Sequence, residues 1–296
     1  MRRKIALIGP STLMVSLPSS WAKKYNLKKG NEIEIEENQS RLIISTDKET
    51  AKKEITIDVS SLDTMLYRFI GAVYKSGYEQ VKIIFKNPKQ LETIYEVLRN
   101  TCIGFETVEQ SKNYIIIKEI SKPEKNEFEN ILRRNFLFLL SVAKDSLEMI
   151  KSQNFEELKN VILKDLQINK YSDFCRRLLN KRALTENNSA LYCIVEQLEK
   201  IADMYRELCR YVYENNIKVE KEILEIYESI NNFLSDFYGV FYKFDLEKIE
   251  GFGSRRNNIL DLIRNSKPKD KNVLFYLNNI FTMTYDLNGV LMTYKI

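Results

Sequence analysis

Histidine is absent from all 296 residues. That removes the commonest general base, every His-dependent triad and every His-ligated metal site. Cysteine is scarce: Cys102, Cys175, Cys193 and Cys209 form no C-x-x-C pair, which argues against a disulfide framework and a zinc knuckle and fits a reducing interior. Nine Gly and five Pro are few for this length and favour long regular elements over loops. Neither G-x-x-x-x-G-K-[ST] nor G-x-G-x-x-G occurs, so no nucleotide cradle is signalled. The longest apolar stretch, 136–143, is interrupted by Ser141 and is far short of the roughly 20 residues of a membrane span. The N-terminus lacks the apolar core of a signal peptide. These absences predict a cytoplasmic protein without membrane insertion, and no residue constellation asks for an enzyme.

Acidic residues are missing from the first thirty positions, which hold seven cations: Arg2, Arg3, Lys4, Lys23, Lys24, Lys28 and Lys29. The chain carries +5 in total, so this +7 leaves −2 for residues 31–296. A concentrated basic module suits a polyanion, because each neutralised phosphate releases condensed counterions. The alternative is a solvated basic face or tail.

Residues 3–46 read as four short strands around one helical turn. Residues 4–8 are extended up to Gly9-Pro10, and a second piece runs over 13–17 to Pro18. Ser19 is placed to cap a short helix through Tyr25, with Asn26 as its left-handed closing residue. After the turn at Lys28-Lys29-Gly30, Glu32-Ile33-Glu34-Ile35-Glu36 alternates as a half-buried strand should. Asn38-Gln39-Ser40 then turns the chain into a strand at 41–45. A unit this small has too little core to stand alone and calls for a second copy.

The run Ser11-Thr12-Leu13-Met14-Val15-Ser16-Leu17-Pro18, followed by Trp21-Ala22-Lys23-Lys24-Tyr25-Asn26-Leu27-Lys28-Lys29-Gly30-Asn31-Glu32-Ile33-Glu34-Ile35, resembles the AbrB/SpoVT/MazE swapped-hairpin family. The resemblance implies a dimeric barrel of interlaced hairpins, with Leu17 and Ile35 at or near its core. It implies DNA contacts by Lys4, Lys23, Lys24, Lys28 and Lys29, extended by Arg2 and Arg3. Asn31 stands where that family usually has Asp, and still suits a turn.

Over 54–120 the pattern changes to β-α-β-α-β-β. A strand at 55–59 leads through Ser60 and Asp63, spaced like a capping box, into a helical stripe of Leu62, Leu66, Phe69, Ile70 and Val73 that ends at Gly77. A strand at 81–85 follows, then Asn87-Pro88 opening a helix to about Asn100, then strands at 105–109 and 114–120. This implies a small α/β layer without a convergent polar cluster, a structural or dimerising spacer.

From Glu124 onward helix-length stretches run over 124–153, 155–183, 187–215, 219–243, 245–265 and 269–294. A shift of 79 residues places Ile194, Val195, Leu198, Ile201, Met204, Leu208 and Val212 on Val273, Leu274, Leu277, Ile280, Met283, Leu287 and Leu291, which predicts two three-helix units in tandem. Asp165-Leu166-Gln167-Ile168-Asn169-Lys170-Tyr171 and Leu198-Glu199-Lys200-Ile201-Ala202-Asp203 resemble the PhoU family of phosphate-uptake control. Carboxylates four apart share a helix face and can hold one hard or borderline cation. The resemblance therefore implies Glu199 and Asp203 as ligands of a divalent or iron cation. In the second unit the matching positions are Asn278 and Thr282, which makes an equivalent cluster there unexpected. The alternative for Glu199 and Asp203 is a solvated face beside Lys200 and Arg206.

The expected architecture is multidomain α+β: a dimeric swapped-hairpin barrel (1–46), a small α/β domain (47–121) and tandem three-helix bundles (122–296, divided into about 124–215 and 219–294). The order resembles archaeal PhoU-family regulators in which these three parts are fused. It implies a homodimer or higher assembly on double-stranded DNA that regulates phosphate uptake. The bundles would sense a ligand, a metal or a transporter component. The alternative is a cytoplasmic adaptor that binds a phosphate transporter ATPase or sensor kinase and only dimerises through its N-terminus. An antitoxin would fit the first 46 residues but leave the helical half without a role.

Overall fold

The computed structural model describes residues 2–38, 41–46, 54–121, 127–181 and 187–296. The chain divides into two compact units, Met1–Lys53 and Glu54–Ile296.

The first unit holds two separate antiparallel hairpins. β1 (Ala6–Ile8) pairs with β2 (Thr12–Met14), and β3 (Glu34–Asn38) with β4 (Arg41–Ser45). Among the described residues no hydrogen-bonded ladder joins the two hairpins of the single chain, and no closed barrel is present in it; the expected barrel is one of two interlaced chains. Between them lies α1 (Ser19–Lys24). Ser19 is its first helical residue rather than its cap. Pro18, extended at φ −60° and ψ 127°, takes the cap position without a side-chain bond. The helix closes as expected on left-handed Asn26 (φ 48°). Leu27 N donates to Ala22 O (2.9 Å) and Asn26 N to Lys23 O (3.1 Å), the paired bonds that satisfy a helix's last carbonyls. The turn at 39–40 lies outside the described residues.

The second unit begins with a four-stranded sheet in the order β5-β6-β8-β7. β5 (Glu54–Asp58) runs parallel to β6 (Gln80–Ile84), and β8 (Tyr114–Glu119) is antiparallel to both β6 and β7 (Phe105–Gln110). The parallel pair requires a crossover, supplied by α2 (Leu66–Lys75). Leu66, Ile70, Val73 and Tyr74 bury its inner face, as its stripe predicts, whereas Phe69 points to solvent. Ser60 and Asp63 do not form the expected cap. Instead Asp58 Oδ1 accepts from Ser60 N (2.9 Å), and α2 starts later, after Met65. α3 (Pro88–Asn100) opens at Asn87-Pro88 as predicted, and the Asn87 side chain caps it by accepting from Gln90 N (2.9 Å). The buried Gln90 side chain donates to Val59 O (2.9 Å) and Leu62 O (2.8 Å), and accepts from Lys86 N (2.9 Å). It thereby fastens both loops at the ends of the parallel strands.

Six helices complete the unit: α4 (Glu127–Lys151), α5 (Leu158–Lys181), α6 (Asn188–Asn215), α7 (Lys221–Tyr242), α8 (Leu246–Asn265) and α9 (Lys271–Lys295). A 3-10 turn (Phe155–Glu157) precedes α5. They share one continuous apolar core from Phe128 to Leu291. The repeat-related seam residues Ile194, Leu198, Ile201, Leu208 and Val212 are buried, as are their counterparts Val273, Leu277, Ile280, Leu287 and Leu291. None of the described helices is long and apolar enough to cross a membrane.

The sheet layer and the helices join along α5, where residues 172–179 are buried without interruption. One side of α5 faces the helical core and the other faces α2. Arg177, fully buried, donates to Tyr74 O (2.6 Å) and Tyr78 O (2.7 Å), pairs with Glu119 (3.2 Å) and lies over the rings of Tyr74 and Phe105. Gly77, at φ +86°, lets α5 come this close: a Cβ there would meet Lys181 Cγ at 2.7 Å.

Candidate functional site

Two places concentrate charge, one in each unit. In the first, Lys23 and Lys24 occupy the last turn of α1 and Lys28 and Lys29 the turn that follows, with Arg2, Arg3 and Lys4 leading into β1. All seven side chains are exposed, and none forms an ion pair among the described residues. The turn holding Lys28 is fixed by Asn31, whose Oδ1 accepts from Lys28 N (2.8 Å). A carboxylate at that position would add a negative charge to the basic face, and the amide makes the same bond without it. Trp21 and Tyr25 pack ring against ring at 5.4 Å and give the short helix its inner side.

The same unit has no buried residue among those described. Ile5, Leu7, Leu13, Ile35 and Leu42 are each more than half exposed. Leu7 and Leu13 face each other across one hairpin, and Ile35 is paired with Ile44 across the other. Leu17 is half-buried.

In the second unit, Glu199 and Asp203 lie on α6 beside α5, and both are engaged by arginine. Arg176, with only 5% of its side chain exposed, donates to Asp173 (2.6 Å), Glu196 and Glu199. Lys75 of α2 completes the group on Asp173 (3.0 Å). Arg206 donates to Asp165 (2.6 Å), Asp203 and Glu207 (2.9 Å). Burial pushes the Glu199 carboxyl up to about 7 and the nearby Asp173 adds to the rise, while Arg176 opposes them. Burial likewise raises Asp165 against the pull of Arg206. A cleft of about 550 Å³ opens between Arg68 and Lys75 of α2 and the row Glu199, Lys200, Asp203 and Arg206 of α6. Lys200, expected beside the carboxylates, is 3.7 Å from Glu196. At the repeat-related positions on α9, Thr282 donates to the Asn278 carbonyl (2.8 Å), and neither residue carries a charge.

Sequence reasoning names Glu199, Asp203, Lys200 and Arg206 but misses Asp173, Arg176, Arg177 and Lys75. The signal was present: Arg176-Arg177 sits inside the apolar run Phe174-Cys175…Leu178-Leu179, and charges within such a run need partners when the helix is buried.

Residues 7–52 match the family described as antidote-toxin recognition MazE, bacterial antitoxin. No curated protein and no solved structure matches the chain. The family match is confined to the first compact unit, within which the basic side chains Lys23 to Lys29 lie.

Proposed function

We propose that the chain is a homodimeric, DNA-binding regulator. The observation that carries this reading is a module with seven exposed cations in no ion pair among the described residues and no acidic residue before Glu32; four of the seven, Lys23, Lys24, Lys28 and Lys29, lie in the stretch 7–52 that matches a MazE-type family. Dimerisation would double the cations and allow one duplex to be engaged at several phosphates. Phosphate contacts set register and affinity but carry no sequence information. Specificity then depends on fewer base-edge or shape-dependent contacts. The helical part of the second unit, by its resemblance to the PhoU family, would receive the signal and direct the regulator to phosphate uptake or metabolism.

A second reading comes from the words of the family match, which concern recognition of a toxin. The exposed apolar hairpins of the first unit would then meet a protein partner rather than a second copy. It leaves the larger, helical unit without a task, which is why DNA binding is preferred.

Titration of labelled duplex DNA with the full chain, repeated over a salt series, tests the proposal. Replacing Lys23 and Lys24 with Ala should weaken binding to all duplexes similarly and flatten the slope of log affinity against log salt by roughly one unit per lost phosphate contact. Unchanged affinity and slope would remove both lysines from the interface. An absence of duplex binding at low salt would turn the assignment to a protein-binding role, either toxin recognition or an adaptor for a transporter ATPase or sensor kinase.

A further inference from the structure

The carboxylates that resemblance assigns to a metal do not fit one here. A cation shell needs several oxygens directed at one open point, but Glu199 and Asp203 direct theirs at different guanidinium groups. Arg176 stands where three carboxylates converge from two helices, Asp173 on its own helix and Glu196 and Glu199 on α6. Arg206 stands between Asp165 and Asp203 in the same way. Within the cluster, the buried acceptors Asp165 Oδ1 and Asn169 Oδ1 lack a protein donor, and the buried Arg176 Nε lacks an acceptor. One carboxylate oxygen and one amide oxygen beside a guanidinium do not make a divalent site. Among the described residues no group of three Asp, Glu or Cys side chains is arranged to hold a metal.

We infer that the counter-cations of this cluster are built into the chain, with Arg176 and Arg206 holding the carboxylates and fastening α5 to α6, and Lys75 joining α2 through Asp173, without any metal. The chemistry has a consequence for what the unit can respond to. A bound metal is exchanged with the surroundings and lost to chelators, whereas a guanidinium stays charged at all physiological pH values and cannot leave. The fork of Arg176 also does what a point charge does less well. It reaches Glu196 through one terminal nitrogen and Asp173 and Glu199 through the other, so it fixes the rotation of α6 against α5. Lys75 extends the same network to the sheet layer through Asp173. The joint is therefore permanent, and metal supply is not the signal it reads. This inference goes beyond the regulatory assignment and stands or falls independently of DNA binding.

The test uses the full chain. Metal content measured after purification without chelator should be well below one equivalent. The melting temperature should be the same in EDTA and in added zinc, manganese or ferrous ion. A retained stoichiometric cation, or a melting temperature lowered by EDTA, would overturn the inference. Arg176→Met leaves Asp173, Glu196 and Glu199 without their main counter-charge and should lower the melting temperature by roughly 10 °C. In that variant added divalent cation should recover part of the loss, and combining it with Glu199→Gln should recover part without metal. A variant as stable as the parent chain would show that Arg176 does not hold the cluster. If Arg176→Met cannot be obtained folded, the metal measurements on the parent chain still decide.

Discussion

Among the described residues Arg177 is the charged side chain most completely withdrawn from water, and its surroundings show what that requires. Two carbonyls, a carboxylate and two aromatic faces are gathered around one guanidinium. Removing such a group leaves its partners unpaired as well as losing the contact, so the loss exceeds the worth of one hydrogen bond. Arg177→Met should destabilise the full chain by about 3 kcal/mol or more in urea unfolding, although the apolar volume is nearly kept. A loss under about 1 kcal/mol, the usual worth of a single hydrogen bond, would show that the sheet layer is held mainly by apolar packing. Glu119 would remain with Lys181, which also pairs with Glu79 (3.1 Å). From sequence the two arginines are only charges in an apolar run. Their separate destinations, one to carboxylates of α6 and the other to backbone of the sheet layer, depend on α5 being covered from both sides.

At the scale of elements, ends were more legible than interiors. Asn87 and Pro88 announce the start of α3, because a side-chain acceptor before a ring with fixed φ suits only a helix N-terminus. Asn87→Ala should cost about 1 kcal/mol, measured by chemical unfolding. The helical pattern predicts that α4 runs to 153, yet it ends at Lys151 and Gln153 is left-handed (φ 57°). Asn154 N instead donates to Met149 O (2.9 Å), so backbone bonding rather than residue preference sets that position. The interior of α8 could not be read. It buries only Phe252 and Ile259, whereas α5 buries twelve side chains. Phe252 meets Phe233 edge-on at 4.7 Å, and Arg255 lies over both rings. Gly251 and Gly253 lie in this helix, and a Cβ added at either meets nothing within 4 Å. Gly253→Ala should therefore stabilise the chain by about 0.5–1 kcal/mol. Hydrogen exchange should be faster in α8 than in α6 and α9, because few buried contacts hold it closed. Equal protection across the three helices would contradict this.

For the whole molecule, the proposed reading makes the first unit the site of assembly. A unit of this size with no buried residue among those described cannot offset the entropy of its ordering, and its apolar side chains are spread over both hairpins. A second copy is the expected cover, and the full chain should sediment as a dimer or larger. Leu13→Glu together with Ile35→Glu should shift it to monomer while leaving the helix content of the second unit unchanged by circular dichroism. A parent chain that sediments as a monomer at micromolar concentration would remove the dimer from the proposed mechanism, and with it the doubled basic face.

Segments and their order were legible in the residues alone: hairpins and a short helix, then β-α-β-α-β-β, then six helices. Periods of two and of 3.6 are local properties, and Pro, Asn and Gly mark most of the boundaries between them. The basic module was legible too, since charge counts need no fold. Tertiary structure alone decided which charges meet. It sent Arg176 to Glu196 and Glu199, Arg206 to Asp165, and Arg177 into the sheet layer. It also gave the six helices one core rather than two. A side chain's partner is fixed by the packing of elements distant in sequence, and in a low-dielectric interior that partner decides whether a carboxylate is available to a metal or already neutralised by an arginine.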